Sequence, residues 1–599
     1  MDLQTGDDDA HRLAELASRG ASARRSQHLA PDCAGLNFYA LDHSLRSLLP
    51  LYMDADLLAH LGPHLERLGE VAGGALNDLA AEADKTPPRL HTRDRFGRDE
   101  EWIEFHPAYR GMEQIAFGDF ALHVLTHRPA LGWPAPMPPA AKTALHYLFA
   151  QSEFGLMCPI NLTDSSSDLI ARYGDEPTKA RFLPGMWSQD LGQLLRGAQF
   201  MTEKAGGSDV GANELVAARD GETWRLYGEK WFCSNADAEV AVLLARPEGA
   251  PAGGKGLGLF VMPKTLPDGR RNAYRVVRLK DKLGSKSMAS GEIVFNGAVA
   301  YPLGALDAGL KQMLEMVNSS RLSHATRAAG MMRRCLNEAF QAARHRNAFG
   351  AAVIAHPLMR RQLLKLMVPT EQALSTILYL SKVSAGKADR AARQILRLMT
   401  PLAKYRTCRD NITVATGAME ARGGNGYIED FVNARLVRDA HLGVIWEGTS
   451  NISALDAIRR AVGKEKAHLE LQADVEHRLA EAAALPGQFR TRLRGAAAQA
   501  FRFAEDVAAT PERERYSRQA SAALYHVVSA ALLAAEGARL GADGGDARRM
   551  LIARFVLEHR LGERKPMSLE GQAWEDEAID LLLDDAPVPL AKAEALAVA

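Results

Sequence analysis

A block of short apolar segments near the middle of the chain constrains the fold most. Between residues 198 and 306, runs such as 240–244 and 292–295 stay apolar or alternate with polar residues. Turn pairs, including Asp220-Gly221 and Asn296-Gly297, bound these runs. Short apolar runs bounded by such turns are typical of antiparallel strands. The sequence therefore predicts a small β domain between two stretches of different character.

Helical periodicity flanks the β block on both sides, so the predicted fold class is mainly α with a central β domain. Leucines early in the chain recur at three- and four-residue steps, as they do on one buried helix face. They are Leu57, Leu58, Leu61, Leu65 and Leu68. The predicted units are a mobile, polar N-terminal arm (1–30), an α-helical domain (31–197), the β domain (198–306), a helical bundle (307–461) and an additional helical domain (462–599).

Composition narrows the class of protein. The 599 residues carry a formal net charge of zero, which gives no reason to expect a polyanionic partner for the whole chain. The five cysteines form no C-x-x-C pair, so neither a disulfide framework nor a zinc site is expected, and a reducing cytoplasm fits. No secretory signal or membrane span is expected; the most apolar stretch, 522–535, contains His526 and Ser529 and is typical of a buried helix.

Two motifs at the β block offer hydroxyl groups to a ligand. In 201–210, Thr202 and Ser208 flank two glycines that allow close approach to the backbone. A plain interdomain turn explains this motif equally well. A later strand ends in Phe232 and Ser234, which suit the wall of a planar ring, although a core strand is the simpler interpretation.

Two further motifs suit an anionic ligand. A helix is predicted to end at Gly350 with a left-handed cap, and Arg346, one turn earlier, can pair with phosphate. Three glycines at 423–426 expose backbone N–H groups that can cradle a pyrophosphate. A solvated arginine and a flexible loop are the simpler interpretations of each motif taken alone.

The last motif contains a candidate general base. Glu447 lies among apolar neighbours and is followed by Gly448 and by Thr449-Ser450, which are good N-cap residues for a helix beginning near Asn451. A partly desolvated carboxylate beside a helix start is suited to proton abstraction. A capping glutamate is the alternative.

The five motifs, in this order, resemble those of the acyl-CoA dehydrogenase superfamily over roughly residues 150–461. Within it the chain is similar to the AidB-like (alkylation or adaptive response protein) subgroup in stretches such as 105–109, 266–273, 279–284 and 357–360. The resemblance implies a three-domain fold, with an α-helical domain, a β barrel or sandwich and a four-helix bundle, plus the C-terminal helical extension.

The resemblance also implies residue roles. Glu447 would remove the α proton of an acyl thioester while the β hydrogen leaves as hydride to FAD. The residues implied to bind FAD, partly across a subunit interface, are Met201, Thr202, Ser208, Phe232, Ser234, Arg346, Phe349, Glu420, Gly423, Gly424, Gly426, Thr449 and Asn451. The residues implied to contact the substrate are Ser208, Arg321 and Gly448, and no metal site is implied.

Some positions depart from the family pattern. Glu420 and His356 stand where glutamine is frequent, which weakens the match at two FAD contacts. Ser320 precedes Arg321 at the place where some branches carry their base, so that alternative site is empty. Glu447 is therefore the only motif-matched base.

The predicted function is that of an FAD-dependent acyl-CoA dehydrogenase. It would be a homo-oligomer, a dimer or a tetramer, that acts on acyl-CoA or an acyl-carrier thioester and passes electrons to electron-transfer flavoprotein. An acyl-CoA oxidase, in which oxygen reoxidises the flavin, is equally compatible with the sequence. A third interpretation is an interaction protein that keeps the enzyme fold but has lost catalytic activity. The presence of Glu447 argues against it.

A DNA-associated role in the alkylation response is the rival prediction. Residues 462–599 carry 18 Lys+Arg against 22 Asp+Glu. Arginines cluster between 490 and 518, but glutamates are interleaved with them. Because DNA binding needs a run of cationic contacts, this composition favours a solvated helix face over a DNA-binding surface.

Overall fold

The structure, a computed structural model, describes residues 11–17, 29–562, 567 and 573–598. Residues 11–17 form an exposed helix, and most of the arm predicted over 1–30 lies outside the described residues. In the described part, helices are followed by a β domain, a second set of helices and a third. The predicted order of helices, β, helices and extra helices is therefore observed.

The N-terminal helices pack around the predicted leucine stripe. Leu57, Leu61, Leu65 and Leu68 are buried and Leu58 is partly buried, because residues three and four apart share one face of the helix. These helices are His43–Tyr52, Ala55–Gly73, Ala75–Lys85, Pro107–Glu113, Pro139–Phe149, Met157–Tyr173 and Glu176–Met186, with a π-helical turn at Gln114–Asp119.

A hairpin interrupts this helical block where the periodicity predicted helices alone. Strands Arg89–Arg93 and Asp99–Glu104 pair in antiparallel fashion. The Glu101 carboxylate accepts hydrogen bonds from the Arg271 guanidinium and from the Val276 backbone N–H, both at the edge of the β domain. The hairpin is thus held by a partner distant in sequence, which local periodicity does not report.

The β domain is a seven-stranded sheet whose path closes on itself. Strand Val240–Pro247 pairs with three neighbours, including the antiparallel strand Gly258–Pro263 that completes the ring. Val240–Pro247 is almost wholly buried, because its two faces contribute to two different apolar clusters. The strands are Gly197–Phe200, Val216–Asp220, Thr223–Ser234, Val240–Pro247, Gly258–Pro263, Tyr274–Leu279 and Ser290–Pro302.

The bundle follows the β domain. Its first and longest helix, Gly309–His345, is called the central helix below, and it packs against the next two helices of the bundle. The helices are Gly309–His345, Pro357–Ala385, Arg390–Arg422, Val432–Ala440 and Ser450–Leu455, which continues as a π-helix over Asp456–Lys464.

The C-terminal helices cover one side of the bundle. The segment Pro511–Ala542 is long and apolar enough to cross a membrane, but 83% of its most apolar window is buried against protein, as in a core helix. The helices are His468–Glu481, Gly487–Ala509, Ser517–Ala542, Arg548–Val556, Ala573–Leu583 and Leu590–Val598, with a π-helical turn at Leu557–Leu561.

Candidate functional site

Glu447 lies in a short connection with a strained backbone. Its φ angle is 54°, in the left-handed region that non-glycine residues seldom adopt, and Gly448 follows at 94°. Two bundle cations hold this turn: Arg321 Nε donates to the Glu447 carbonyl at 3.1 Å, and Lys404 Nζ donates to the Gly448 carbonyl. A conformation that costs about 1–3 kcal/mol is therefore maintained by side chains from two other helices.

A relay of hydrogen bonds ends on the Glu447 carboxylate. Asn161 Nδ2 donates to Ser320 Oγ at 3.1 Å, and Ser320 Oγ donates to Glu447 Oε1 at 3.0 Å. Burial raises the pKa of Glu447, and the Ser320 hydrogen bond with nearby Arg321, Lys404 and Arg327 offsets only part of that rise. The side chain is thus a stronger base than an exposed glutamate.

Ser320 has a role that the sequence did not reveal. At the sequence level it only marks an empty alternative position for the base. In the structure, its hydroxyl is the hydrogen-bond donor to the carboxylate of Glu447. The adjacent Arg321 is buried and paired with Asp456 at 2.6 Å, so its guanidinium positions the Glu447 turn. The predicted substrate contacts of Arg321 and Gly448 stay predictions.

Cys158 lies where three parts of the fold meet. This buried thiol comes from an N-terminal helix, is hydrogen-bonded to Ser234 at the end of a β-domain strand, and lies near Glu447 and Arg327 of the bundle. Burial raises the pKa of Cys158 to about 11, so the thiol is neutral near pH 7. Met201 and Trp446 belong to the same apolar cluster. The structure therefore brings the second and fifth sequence motifs together.

The predicted β-domain ligands border this junction. The Trp231 backbone N–H donates to the Thr202 carbonyl at 2.8 Å, which links the first motif to the strand of the second. Phe232 is 50% exposed although it ends a core strand, and Ser208 is exposed. Within these motifs, Glu203 and Lys230 form a buried ion pair, so not every motif residue faces a ligand.

Two remaining polar side chains of the last motif are also exposed. Thr449 is the N-cap of the helix Ser450–Leu455, as predicted, but its side chain makes no capping hydrogen bond. Thr449 and Asn451 are both solvent-exposed beside the Glu447 turn. Their polar groups are therefore accessible to a ligand.

A second group of predicted residues forms around the glycine loop. A Cβ atom at Gly423 would lie 2.9 Å from Arg346 Nη1, so a side chain there would displace the guanidinium. Beside them is a cavity of about 260 Å³. Its lining residues are Leu29, Ala30, Arg346, Arg422, Gly424 and Asn425. Arg422 is paired with Glu338 at 2.6 Å, and only its buried Nε lacks a hydrogen-bond partner among the described residues, so Arg346 is the cation that this cavity can offer to an anion.

The Arg346–Gly350 motif differs from its predicted conformation. The central helix ends at His345, and Asn347–Ala348 pairs with Ala351–Ala352 in a two-residue hairpin. Phe349 and Gly350 have φ values of 54° and 82°, as a type I′ turn requires, so the prediction that Gly350 caps a helix is wrong. Phe349, at the tip, is 99% exposed.

Three other loop positions can be placed. Glu420 is exposed and accepts a hydrogen bond from Gln362, while the His356 ring is bonded to the Ala348 carbonyl. A Cβ at Gly426 would lie 2.3 Å from the Met419 carbonyl, so this glycine serves backbone packing. The FAD contacts implied for Glu420 and Gly426 stay predictions.

Three family models match the chain. The model for the acyl-CoA dehydrogenase C-terminal domain matches residues 307–463, the model for the acyl-CoA dehydrogenase middle domain matches 198–298, and the model for the adaptive response protein AidB N-terminal domain matches 29–191. The matched ranges cover the N-terminal helices, the β domain and the bundle.

Individual proteins similar to this chain belong to the same family as the matched models. AidB of Escherichia coli (strain K12) is 35% identical over 416 residues, 68% of this chain and 74% of that protein. Acyl-CoA dehydrogenase family member 11 of Caenorhabditis elegans is 30% identical over 456 residues, 73% of this chain and 72% of that protein. The crystal structure of C. elegans ACDH-11 in complex with C11-CoA has a TM-score of 0.82 at 26% identity, covering 89% of this chain and 93% of that one. The predicted fold class is confirmed.

Proposed function

Because this chain belongs to the acyl-CoA dehydrogenase family, we propose that it is an FAD-dependent dehydrogenase that forms an α,β double bond in an acyl-CoA thioester. The observation that carries the proposal is the Glu447 carboxylate. It has a raised pKa, a hydrogen-bond donor on one oxygen, and a position near the Cys158 thiol, which is itself hydrogen-bonded to Ser234. A structural glutamate needs neither a strained backbone nor a hydroxyl relay.

The residues present fit FAD in two places. Around Gly423, the Arg346 guanidinium and a glycine loop border a cavity, as a pyrophosphate requires. Around Ser234, the half-exposed Phe232 ring suits one face of a planar ring, and the exposed Thr449 hydroxyl, beside the Glu447 turn, suits a polar edge. We propose that both groups hold FAD, partly across the interface of a homo-oligomer.

Glu447 would act as the general base on the α carbon. Its Oε1 accepts from Ser320, and no hydrogen bond to Oε2 is found among the described residues, so Oε2 is available for the α proton. Bound FAD would supply the acceptor for the β hydride. Lys404 and Arg321 hold the Glu447 turn and thereby aim the carboxylate, which matters because a small misplacement of reacting groups is costly in rate.

Several finer assignments belong to this proposal. The electron acceptor would be electron-transfer flavoprotein. The alternative acceptor is oxygen, as in an oxidase, and the reoxidation rate of the reduced enzyme distinguishes the two. The thiol carrier would be coenzyme A. The five cysteines are all free and buried, which supports a reducing compartment, and we propose the cytoplasm.

The DNA-associated alternative gains no support from the C-terminal helices. Three of the clustered arginines contact acids: Arg492 pairs with Glu558, Arg494 with Glu476 and Arg513 with Asp506. Paired cations release fewer counterions on binding a polyanion. A salt titration of DNA binding is its test, and tight binding at ~50 mM salt would favour this alternative.

The test of the main proposal is flavin reduction in purified protein. We expect a yellow holoenzyme whose flavin bleaches when an acyl-CoA is added without oxygen. Glu447→Gln should retain the flavin and lose about 10²–10⁴-fold in bleaching rate, because the base is absent. Glu315→Gln, at a half-exposed carboxylate on the central helix, is the matched control and should bleach normally.

Three results would contradict the proposal. They are a colourless protein that cannot be reconstituted with FAD, a holoenzyme that no acyl-CoA reduces, and a Glu447→Gln variant that bleaches at the normal rate. Rapid reoxidation of the reduced enzyme by air, faster than by electron-transfer flavoprotein, would indicate an oxidase instead.

A further inference from the structure

One buried cation near Glu447 forms no ion pair with any acidic residue that the structure describes. Arg327 is fully buried on the central helix. Its Nε and Nη2 donate to the Ser323 hydroxyl at 3.1 and 3.0 Å, and Nη1 has no hydrogen-bond partner. The Phe154 ring lies 5.9 Å away, and the Cys158 thiol is also beside the guanidinium. Across the described ranges, no carboxylate forms an ion pair with Arg327.

The positive charge of Arg327 persists despite burial. Burial lowers its pKa, with partial compensation by Cys158 and Glu447, but a guanidinium does not lose its proton in proteins near neutral pH. Cys158 cannot neutralise it, because that thiol is protonated at pH 7. Glu447 shares the region but makes no direct hydrogen bond to it. A buried charge without a paired anion is costly, so an anion from outside the chain is the missing partner.

The position of the guanidinium relative to Glu447 defines where that anion would bind. Ser320, which holds the Glu447 carboxylate, and Ser323, which holds the guanidinium, are three residues apart on the central helix, or ~4.5 Å along its axis. The two serines that hold the carboxylate and the guanidinium are therefore about one helical turn apart, and Arg327 and Glu447 are close enough to influence each other's pKa. A group bound there would be only a few bonds from the carbon that faces Glu447.

A second unpaired group lies on the same helix. His324 is buried, its Nδ1 has no partner, and its ring packs edge-on against Trp446, the neighbour of Glu447. Burial, with Arg327 and Lys404, holds the pKa of His324 well below its usual range, so the ring is neutral. Unlike a wholly apolar wall, this part of the site offers unsatisfied polar groups to whatever lies beside Glu447.

We propose that Arg327 binds a carboxylate at the distal end of the substrate's acyl chain, so that the enzyme acts on dicarboxylic acyl-CoA thioesters. The inference rests on the proposed function. A carboxylate matches the planar guanidinium and neutralises it. The spacing suits an acyl chain of roughly five to seven carbons. The distal carboxylate takes no part in bond changes: the α proton goes to Glu447 and the β hydride to bound FAD, as above.

The test separates binding from turnover. In flavin-loaded Glu447→Gln protein, calorimetry would compare adipoyl-CoA with hexanoyl-CoA, which have equal chain lengths. We expect adipoyl-CoA to bind at least ten times more tightly. Adding Arg327→Met should weaken adipoyl-CoA about 10–100-fold and leave hexanoyl-CoA unchanged or tighter, because only the former loses a charge-assisted pair. Arg327→Lys should retain part of the preference.

Arg344→Met, at a partly exposed pair on the same helix, is the matched control and should keep the full preference. The inference is overturned if hexanoyl-CoA binds as tightly as adipoyl-CoA, or if Arg327→Met weakens both equally. It is also overturned if Arg327→Met shifts the flavin reduction potential and leaves the preference intact, because the anion would then be the flavin. With Glu447 present, failure of both thioesters to reduce the flavin, while the binding preference holds, would contradict the proposed chemistry alone.

Discussion

Two buried arginines on the central helix, six residues apart, are in opposite electrostatic situations. Arg333 contacts Asp42 at 3.1 Å, the Tyr147 hydroxyl at 3.1 Å and the Glu371 carboxylate. Arg327 contacts one serine hydroxyl, a neutral thiol and an aromatic ring. Burial alone would lower both pKa values, but Asp42 and Glu371 raise the pKa of Arg333 while that of Arg327 stays lowered.

The comparison separates a charge used for folding from a charge available for binding. Arg333 belongs to a network that continues through Glu371 to Arg549, which also pairs with Glu536 at 2.8 Å. Tyr52 donates to the same Glu536 at 2.5 Å. The network joins the N-terminal helices, the bundle and the C-terminal helices. Among the described residues Arg327 joins no such network, which is why its missing partner points to a ligand.

The largest difference is expected in stability. Arg333→Met should destabilise the protein by about 3–5 kcal/mol, because it leaves Asp42 and Glu371 buried with one counter-charge fewer. Arg327→Met, the matched change, should leave the unfolding midpoint unchanged or raise it slightly, since it removes an uncompensated charge. Urea unfolding followed by circular dichroism measures both. Equal losses for the two variants would mean that Arg327 is a structural residue.

A pH dependence of stability should come from the same network. Burial alone would raise the pKa of Glu371, but Arg333 and Arg549 lower it from 4.5 to about 2. A carboxylate with a depressed folded-state pKa adds stability above its unfolded pKa, and that stability is lost as the pH falls from 4.5 through about 2. The contribution is about 3 kcal/mol.

Unfolding free energies measured between pH 6 and pH 2 would reveal this acid loss. Glu371→Gln should be less stable at pH 6 and should show a flatter curve over the acid range. A Glu371→Gln curve parallel to that of the wild type would show that other carboxylates cause the loss. The contribution of Glu447 to stability should depend on pH in the opposite direction. Because its pKa is raised in the folded state, ionising it lowers the stability as the pH rises.

The same contrast explains how much the sequence could predict. The leucine stripe and the strand block follow from local periodicity, and the structure contains both. The buried ion-pair network could not be predicted in this way, because Asp42, Arg333 and Arg549 are hundreds of residues apart in sequence. No local pattern indicates which buried charges will meet.

Around Glu447, too, local sequence patterns do not report contacts between residues that are distant in sequence. Glu447 was proposed as the base from its motif, and that role stays a prediction. Asn161, Cys158 and Arg327 come near Glu447 from elements that only the fold brings together. One sequence signal could have placed Arg327 near this site. Ser320 and Arg327 are seven residues, or two helical turns, apart and therefore lie on the same face of the helix. The hairpin turn at Phe349-Gly350 was missed because a glycine after a helix has two interpretations, and strand pairing with Ala351–Ala352 decided between them.

The smallest expected effect concerns the Ser320 hydroxyl, which donates to Glu447, the proposed base. Ser320→Ala removes the hydrogen bond to ionised Glu447, so the pKa of Glu447 should rise further and the acid limb of the pH–rate profile should move to higher pH. At a pH below the wild-type limb, we expect the rate of flavin reduction to fall about three- to tenfold, and at alkaline pH to recover. Ser319→Ala, at the exposed neighbouring serine, should change neither. A uniform loss at every pH would show instead that Ser320 positions the carboxylate and does not tune its pKa.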